Sequence, residues 1–163
     1  MKIYHLKRTQ VLPITLTEAW DFFSTPRNLS RITPEHMGFK ILYSSGGEKT
    51  YAGQIIRYKV SILPFITLHW VTEITHVKEP FYFVDEQRFG PYALWHHQHI
   101  FKEVPGGVEM TDELNYAIPL GILGRFAHWV FVGREVNRIF DYRFTVLEKF
   151  FSDKKVTPLA KTA

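Results

Sequence analysis

Six strand-length segments follow one another between residues 37 and 118, and the connections between them are only two to six residues long. These connections include "GGEKTY", "KEP" and "PGG", which carry the glycine and proline residues typical of turns. Connections this short join strands that are antiparallel neighbours. The spacing therefore predicts an antiparallel meander.

Helical segments flank the predicted strands. Residues 120–151 contain no proline, and their apolar side chains recur at steps of three and four, which predicts an amphipathic helix of about 28 residues, roughly 40 Å long. Residues 3–13 alternate like a first strand and end at a proline. Residues 15–26 predict a short helix with Thr17 as N-cap, and residues 26–34 a second short helical turn.

This order of elements predicts an α+β fold. A seven-stranded sheet buries its apolar face most simply by curving around the apolar stripe of the long C-terminal helix, with the two short helices between strands 1 and 2. A curved sheet and a straight helix leave space between them, so an internal cavity is expected. We expect a single domain over residues 1–151 and a polar tail over residues 152–163.

The composition limits the classes of function. Aromatic residues reach 16%, which suits a cavity lined by rings. The absence of cysteine excludes disulfides and thiolate metal sites. A net charge of +4 with scattered lysines and arginines does not indicate nucleic-acid binding. Without a signal-peptide pattern or a spanning apolar segment, we expect a cytoplasmic protein.

Three histidines occur within four positions of the segment "WHHQH". Side chains alternate between the two faces of a strand. His97 and His99 therefore share one face with Trp95 and Phe101, whereas His96 points to the other face. Because this face carries no third histidine, we expect no metal site here.

Asp112 is the only charged residue on the inward face of the next strand. The turn leaves two registers open: pairing Phe101 with Val108 puts His97 opposite Asp112, and a slip of two residues puts His99 there. Side chains directly opposite each other have Cβ atoms about 5 Å apart, close enough for an imidazole–carboxylate hydrogen bond.

Two adjacent motifs carry a family resemblance. The first consists of Phe83, Asp85, Gln87, Gly90, Pro91, Tyr92, Trp95, His97, His99 and Phe101, and the second of Gly106, Gly107, Met110, Asp112, Tyr116, Pro119 and Gly121. Together they resemble the START-like, birch-pollen-allergen-like (SRPBCC) superfamily. Within it they are most similar to the polyketide cyclase/dehydrase-type bacterial branch, some members of which carry a "cell division inhibitor" label. The resemblance covers nearly the whole chain and implies a helix-grip fold. It implies no single reaction, because the superfamily includes lipid carriers, hormone receptors and cyclases.

The predicted polar patch has three alternative roles, and Asp85 and Gln87 on the preceding strand extend it. It could be a buried network that specifies strand register. It could hold the polar group of a ligand inside an apolar pocket. As a third alternative, His97, His99 and Asp112 are candidates for a general base in an aldol-type cyclisation or dehydration.

We therefore expect the chain to bind a hydrophobic small molecule, such as a lipid, polyketide, isoprenoid or aromatic compound, without a cofactor. The alternatives are a polyketide cyclase/dehydrase-type enzyme and a regulatory interaction protein. The expected apolar lining consists of Tyr58, Trp70, Phe83, Trp95, Met110, Tyr116, Trp129 and Phe140. The expected polar anchor consists of Asp85, Gln87, His97, His99 and Asp112.

Three predicted turns are apolar, although turns are normally polar. They cover residues 62–66, 90–92 and 118–124, and alternate turns of a meander lie at the same end. We expect them to surround the cavity entrance and to make a transient membrane or protein contact. The exposed members of this apolar rim would be Leu63, Phe65, Leu120, Ile122 and Leu123.

Within the long helix, Gly133 costs about 1 kcal/mol relative to alanine, which indicates a close approach to the sheet or extra cavity volume.

Overall fold

A seven-stranded antiparallel sheet dominates the computed structural model, which describes residues 1–63 and 66–152, except for the side chains of Ile62 and Leu63. The strand order is β1-β7-β6-β5-β4-β3-β2, so the predicted meander is confirmed and β1 pairs with the last strand. The strands are β1 (Tyr4–Leu12), β2 (Lys40–Ser44), β3 (Ile55–Leu63), β4 (Ile66–Lys78), β5 (Tyr82–Phe89), β6 (Leu94–Val104) and β7 (Gly107–Ala117).

The curved sheet wraps around a helical run over residues 121–152, here called the long helix. It comprises α2 (Gly121–Ala127), a π-helical turn (His128–Val132) and α3 (Gly133–Ser152). The predicted α+β helix-grip architecture is confirmed. The predicted tail lies outside the described residues from residue 153 onward. Among the described residues, no helix is long and apolar enough to cross a membrane.

The short helices lie between β1 and β2, as expected. They are α1 (Leu16–Phe23) and two 3-10 helices (Pro26–Ile32 and Glu35–Met37). Trp20 of α1 packs edge-on against Phe83 and Phe101 of the sheet, with ring centroids 6.0 and 6.2 Å apart. These aromatic contacts fix α1 against the concave face of the sheet.

The N-cap of α1 is Thr15, and the prediction of Thr17 was wrong. The Thr15 hydroxyl oxygen accepts the Glu18 backbone N–H at 3.2 Å, and the Glu18 carboxylate accepts the Thr15 backbone N–H at 3.0 Å. This reciprocal arrangement is a capping box. The helix starts earlier than expected because Leu16 is already part of its buried face.

Replacing Thr15 with alanine should lower the free energy of unfolding by about 1 kcal/mol, because it removes the acceptor for a helix-terminal N–H. Replacing the exposed Thr17 with alanine should change it by no more than about 0.5 kcal/mol. Urea denaturation of both variants measures the difference. Equal effects of the two substitutions would contradict the assignment of the cap.

The π-helical turn changes which side chains of the long helix face the sheet. The Gly133 backbone N–H donates to the His128 carbonyl oxygen, five residues back. A π turn adds one residue to the local helical repeat, so it rotates the preceding side chains relative to α3. Trp129 is consequently 75% exposed, and the prediction that it lines the cavity was wrong.

Gly133 makes room for the ring of His128. A Cβ atom built at Gly133 would lie only 2.9 Å from the Cε1 atom of His128. The close approach expected at this glycine therefore involves an imidazole of the same helix and not the backbone of the sheet.

Candidate functional site

A cavity of about 170 Å³ lies between the concave face of the sheet, the 3-10 helices and the long helix. Aromatic side chains from four adjacent strands, β3 to β6, form much of its wall. Trp70 contacts Tyr58 and Trp95, with ring centroids 5.9 and 5.1 Å apart. Tyr58, Trp70, Phe83 and Trp95 are the members of the expected apolar lining that border this cavity.

The other expected lining residues lie elsewhere. Met110 and Phe140 are buried in the packed core and do not border the cavity. Tyr116 is also buried, but its hydroxyl group shares a hydrogen bond of 2.8 Å with His128 Nε2. Alternation along β7 predicts that Met110 and Tyr116 face inward, but not how much of that face the long helix covers. Helical periodicity likewise predicts that Phe140 is buried, but not whether it borders the cavity.

The 3-10 helices contribute lining residues that the sequence analysis did not include. The alternation of strands could not reveal them, although the apolar residues of "PRNLSRITPEHM" were a usable signal. They are Leu29, Ile32 and Met37, followed by Phe39 just before β2.

The predicted apolar turns do not surround this cavity in the part of the chain that can be described. The 90–92 and 118–124 connections are adjacent, since the Ala93 backbone N–H donates to the Ala117 carbonyl oxygen at 2.9 Å. Tyr92 borders the cavity, whereas none of residues 119–124 does. The expected rim members Leu63 and Phe65 lie outside the described side chains.

Two imidazoles and two carboxylates meet at the cavity wall. His97 Nε2 donates to Asp112 Oδ1 at 3.0 Å, and His99 Nε2 donates to Asp85 Oδ2 at 2.9 Å. The remaining nitrogens are also close, with His97 Nδ1 3.1 Å from Asp85 Oδ2 and His99 Nδ1 3.0 Å from Asp112 Oδ1. Each histidine therefore lies between both carboxylates.

The β6–β7 hairpin adopts the second of the two registers that the sequence left open, the one with His99 opposite Asp112. His99 lies opposite Asp112, and Phe101 lies opposite Met110. On the other side of β6, Asp85 lies opposite His97. The hydrogen bonds run diagonally across these pairs, so one register lets both histidines reach both acids.

Arg143 completes the network from the long helix. Its guanidinium Nη1 lies 3.5 Å from Asp112 Oδ1, and the side chain is only 9% exposed. The Arg143 Nε atom is buried without a hydrogen-bond partner among the described residues. Arg143 is not among the site residues predicted from the sequence, although it is a charge at an apolar position of the helix: Val136, Phe140, Leu147 and Phe151 share its buried face.

The network holds opposite charges together. Burial alone would lower the pKa of His97, but the Asp85 and Asp112 carboxylates outweigh it and raise that pKa. Burial alone would raise the pKa of Asp112, but the charge of Arg143 and the histidine hydrogen bonds hold it well below its usual range. His97 and His99 likewise hold the pKa of Asp85 below its usual range against the effect of burial. With His97 protonated, two positive groups balance two carboxylates.

Gln87 does not belong to this network, contrary to expectation. Its amide nitrogen donates to the Tyr92 carbonyl oxygen at 2.7 Å, and its amide oxygen accepts the Tyr92 backbone N–H at 3.2 Å. Gln87 therefore braces the turn that positions Tyr92 at the cavity. His96, as predicted, lies on the other face of β6, where its Nδ1 atom is 2.8 Å from Glu86 Oε1.

A neutral polar group lies deeper among the aromatic rings. Thr72 Oγ1 accepts the indole N–H of Trp70 at 3.1 Å and shares a hydrogen bond of 2.9 Å with the Tyr58 hydroxyl. Burial and the nearby charge of Asp85 raise the pKa of Tyr58. Its hydroxyl therefore stays protonated. Apart from the Asp85–His97–His99–Arg143 group, the cavity is also bordered by the titratable side chains of His36 and Glu135, and Glu135 pairs with Arg138.

The fold recurs among solved structures at low sequence identity. A START superfamily protein from Mycobacterium smegmatis is 12% identical, with a TM-score of 0.67 over 91% of this chain and 97% of that one. Major latex-like protein 151 from Panax ginseng is 11% identical, with a TM-score of 0.63 over 91% and 96%. A protein from Chromobacterium violaceum is 10% identical, with a TM-score of 0.70 over 92% and 98%.

These likenesses confirm the START-like, birch-pollen-allergen-like fold that the sequence motifs indicated. No known protein-family profile matches the sequence. No curated protein matches it significantly either. The function must therefore be argued from the cavity and its residues.

Proposed function

We propose that this protein binds a hydrophobic small molecule in the cavity, with the polar group of the ligand held by the Asp85–His97–His99–Arg143 side of the wall. The observation that carries the proposal is one cavity that combines aromatic walls with a buried, hydrogen-bonded group of charged side chains. Small-molecule sites are commonly built in this way, with apolar walls and a few convergent polar groups that orient the ligand.

The free hydrogen-bonding capacity of the network favours an acceptor on the ligand. Arg143 Nε–H has no partner among the described residues, and arginine can only donate. Leaving a buried donor unpaired costs about 1–3 kcal/mol, which a ligand oxygen would offset. Because the network is balanced in charge with His97 protonated, a neutral carbonyl or hydroxyl oxygen suits it better than a second anion.

The size of the cavity favours a compact ligand. A dry apolar cavity of about 150 Å³ in another protein accepts benzene, and this cavity has about 170 Å³. Among the ligand classes considered, a small aromatic or polyketide-derived ring system fits better than a long-chain lipid. We place this binding in the cytoplasm.

Protein purified under native conditions should carry, or take up, such a molecule in a 1:1 ratio, detected by native mass spectrometry. Replacing His97 with alanine should weaken binding about 10-fold, because it removes the imidazole that lies between Asp85 and Asp112 and positions the polar side of the wall, where one hydrogen bond to a charged group contributes about 1.5 kcal/mol. The His96→Ala variant is the matched control and should bind normally. A cavity that takes up no small molecule from an extract or from a library of cyclic ketones and phenols would contradict the proposal.

A catalytic role is the second candidate, and the buried His97–Asp112 pair favours it. An imidazole oriented by a carboxylate at 3.0 Å is the arrangement of a general base. A polyketide cyclase/dehydrase-type enzyme would lose turnover by orders of magnitude in His97→Ala while it still binds its substrate. A binding protein would show only the weaker affinity.

We further propose that the long helix docks on an anionic membrane surface, from which the ligand is exchanged. Six large apolar side chains between residues 120 and 130 are 45–80% exposed and form what we call the exposed apolar face: Leu120, Ile122, Leu123, Phe126, Trp129 and Val130. Lys2, Arg125 and Arg134 line the shallow depressions beside it, and no carboxylate does so among the described residues. Aromatic and aliphatic side chains flanked by cations suit a bilayer interface with anionic lipids.

The double variant Phe126→Ser/Trp129→Ser should abolish cosedimentation with vesicles of phosphatidylglycerol and phosphatidylcholine. Its free energy of unfolding should change little, because both side chains are largely exposed. Vesicles of phosphatidylcholine alone should bind wild-type protein more weakly. If wild-type protein binds neither vesicle type but dimerises through this face, the result would favour the regulatory-interaction alternative.

A further inference from the structure

Three potential metal ligands converge on one point of the cavity wall. Asp85 on β5 and His97 and His99 on β6 each direct one ligand atom to a common region, with all three atoms within 4.8 Å of one another. We propose that these residues bind a first-row divalent transition-metal ion of the Fe²⁺, Co²⁺ or Zn²⁺ type. The site adds a metal ion to the polar side of the cavity and does not depend on which organic ligand the cavity takes.

Two of the three distances between the ligand atoms match the edges of one face of a coordination polyhedron. Asp85 Oδ2 lies 3.1 Å from His97 Nδ1 and 2.9 Å from His99 Nε2. Metal–nitrogen and metal–oxygen distances of about 2.1 Å at right angles give edges of about 3.0 Å. The two imidazole nitrogens lie within 4.8 Å of each other, so rotation of the histidine rings brings the third edge to the same length.

Asp112 is placed to hydrogen-bond to the two metal-binding histidines without binding the ion itself. The nitrogens that point away from the proposed ion, His97 Nε2 and His99 Nδ1, both lie 3.0 Å from Asp112 Oδ1. A histidine that binds a metal usually donates its other ring N–H to a carboxylate, which fixes the tautomer and the orientation of the ring. His99 Nδ1 makes no hydrogen bond in its present orientation, and a small rotation of the ring onto the ion would align it with Asp112.

The charges of the network also fit a bound ion. Arg143 lies 3.5 Å from Asp112 and neutralises the outer carboxylate, which leaves the Asp85 carboxylate to compensate the ion. The ligating nitrogens of His97 and His99 must be deprotonated to bind the ion.

Asp85, His97 and His99 border the cavity, whereas Asp112 does not. The coordination positions opposite the three protein ligands consequently face the cavity, where water or a ligand oxygen can occupy them.

The donor set selects the class of ion. Two imidazoles and one carboxylate on one face are the set used by non-haem Fe²⁺ sites, and imidazole also suits Zn²⁺ and Co²⁺. Mg²⁺ and Ca²⁺ prefer sites built from oxygen atoms. The expectation of no metal site required a third histidine on the same face of the strand, whereas a carboxylate from the neighbouring strand, Asp85, completes the set proposed here.

Cobalt binding to tag-free protein tests the site, because Co²⁺ bound by nitrogen and oxygen ligands has visible d–d absorption bands. Wild-type protein should bind one Co²⁺ per chain, and Zn²⁺ should displace it. His97→Ala and His99→Ala should each weaken binding at least 100-fold. Asp112→Asn should weaken it about 10- to 100-fold by loss of the outer carboxylate. His96→Ala, on the opposite face of the same strand, should bind like wild type.

Wild-type protein that shows no stoichiometric Co²⁺ or Zn²⁺ binding overturns the proposal without reference to any variant. Binding that persists unchanged in both His97→Ala and His99→Ala overturns it as well, since the ion then lies elsewhere. Circular dichroism of each variant shows whether loss of binding reflects loss of the site or loss of the fold. If the alanine variants do not fold, Asp85→Asn, which keeps the size of the side chain, should still remove 1:1 binding.

Discussion

Replacing Arg143 with alanine should lower the free energy of unfolding by about 3–5 kcal/mol, the range typical for breaking a buried ion pair. Arg143 lies 3.5 Å from Asp112, and both side chains are less than 10% exposed. Without the guanidinium, the Asp112 carboxylate remains buried beside Asp85 with His97 as its remaining compensating charge. A fold of this size has a total stability of about 5–15 kcal/mol, so this single change removes a large part of it.

Urea denaturation followed by tryptophan fluorescence measures the loss. Arg138→Ala is the matched control on the same helix, because Arg138 is 69% exposed and pairs with Glu135 at 2.8 Å. Its removal should cost no more than about 1 kcal/mol. The double variant Arg143→Met/Asp112→Asn should be more stable than Arg143→Ala, since it removes the charge together with its partner. A cost for Arg143→Ala no larger than that for Arg138→Ala would show that Arg143 does not compensate Asp112.

The contact of Arg143 with Asp112 was not predicted, although the sequence contains the information for it. The apolar spacing predicted the helix, and Val136, Phe140, Leu147 and Phe151, which are four, seven and four residues apart, form the buried face of α3. The same spacing places Arg143 on that face, between Phe140 and Leu147. A charge at an apolar position of a helix needs a buried partner, and Asp112 was already identified as an inward charge on β7. Joining the two observations would have predicted this contact.

The strand order was predictable because short connections leave a meander few alternatives. The register of the β6–β7 hairpin was not, because two adjacent glycines allow the turn more than one position. In the structure Val104 pairs with Gly107, so Pro105 and Gly106 form a two-residue turn. Gly106 adopts a φ of 94°, which favours glycine at the second central position of such a turn. Gly107 is then the first residue of β7, where a Cβ atom would lie 2.0 Å from the Leu12 carbonyl oxygen of β1.

The π-helical turn could not be predicted from the periodicity of the sequence either. A steady helical repeat places Trp129 on the inner face, seven residues before Val136. In the structure His128 takes that side, stacks on Tyr4 with ring centroids 3.4 Å apart and shares a hydrogen bond with Tyr116. The extra residue in this turn accommodates these contacts with β1 and β7, so the local sequence alone does not predict it.

Replacing Ile139 with tryptophan should nearly abolish the uptake of small molecules. Ile139 lies on α3 and borders the cavity, opposite the aromatic rings of the sheet. A tryptophan side chain directed into a cavity of about 170 Å³ takes up much of the space that the ligand needs. Fitting a ligand against an overpacked wall costs about 1–3 kcal/mol, which corresponds to roughly 5- to 150-fold in affinity, and full occlusion costs more.

Titration with 4-(dimethylamino)benzonitrile, a fluorescent single-ring compound with a nitrile acceptor, measures the effect without knowledge of the natural ligand. The probe offers an aromatic body to the rings and an acceptor to Arg143, so wild-type protein should shift its emission to shorter wavelength in a 1:1 complex. Ile3→Trp introduces the same side chain at a position that is 56% exposed and away from the cavity, and it should leave this shift unchanged. Because tryptophan replaces a partly buried residue that contacts the core, thermal unfolding must show that Ile139→Trp still folds. A folded Ile139→Trp variant that binds the probe as tightly as wild type would place the probe outside the cavity and contradict the binding site proposed for this protein.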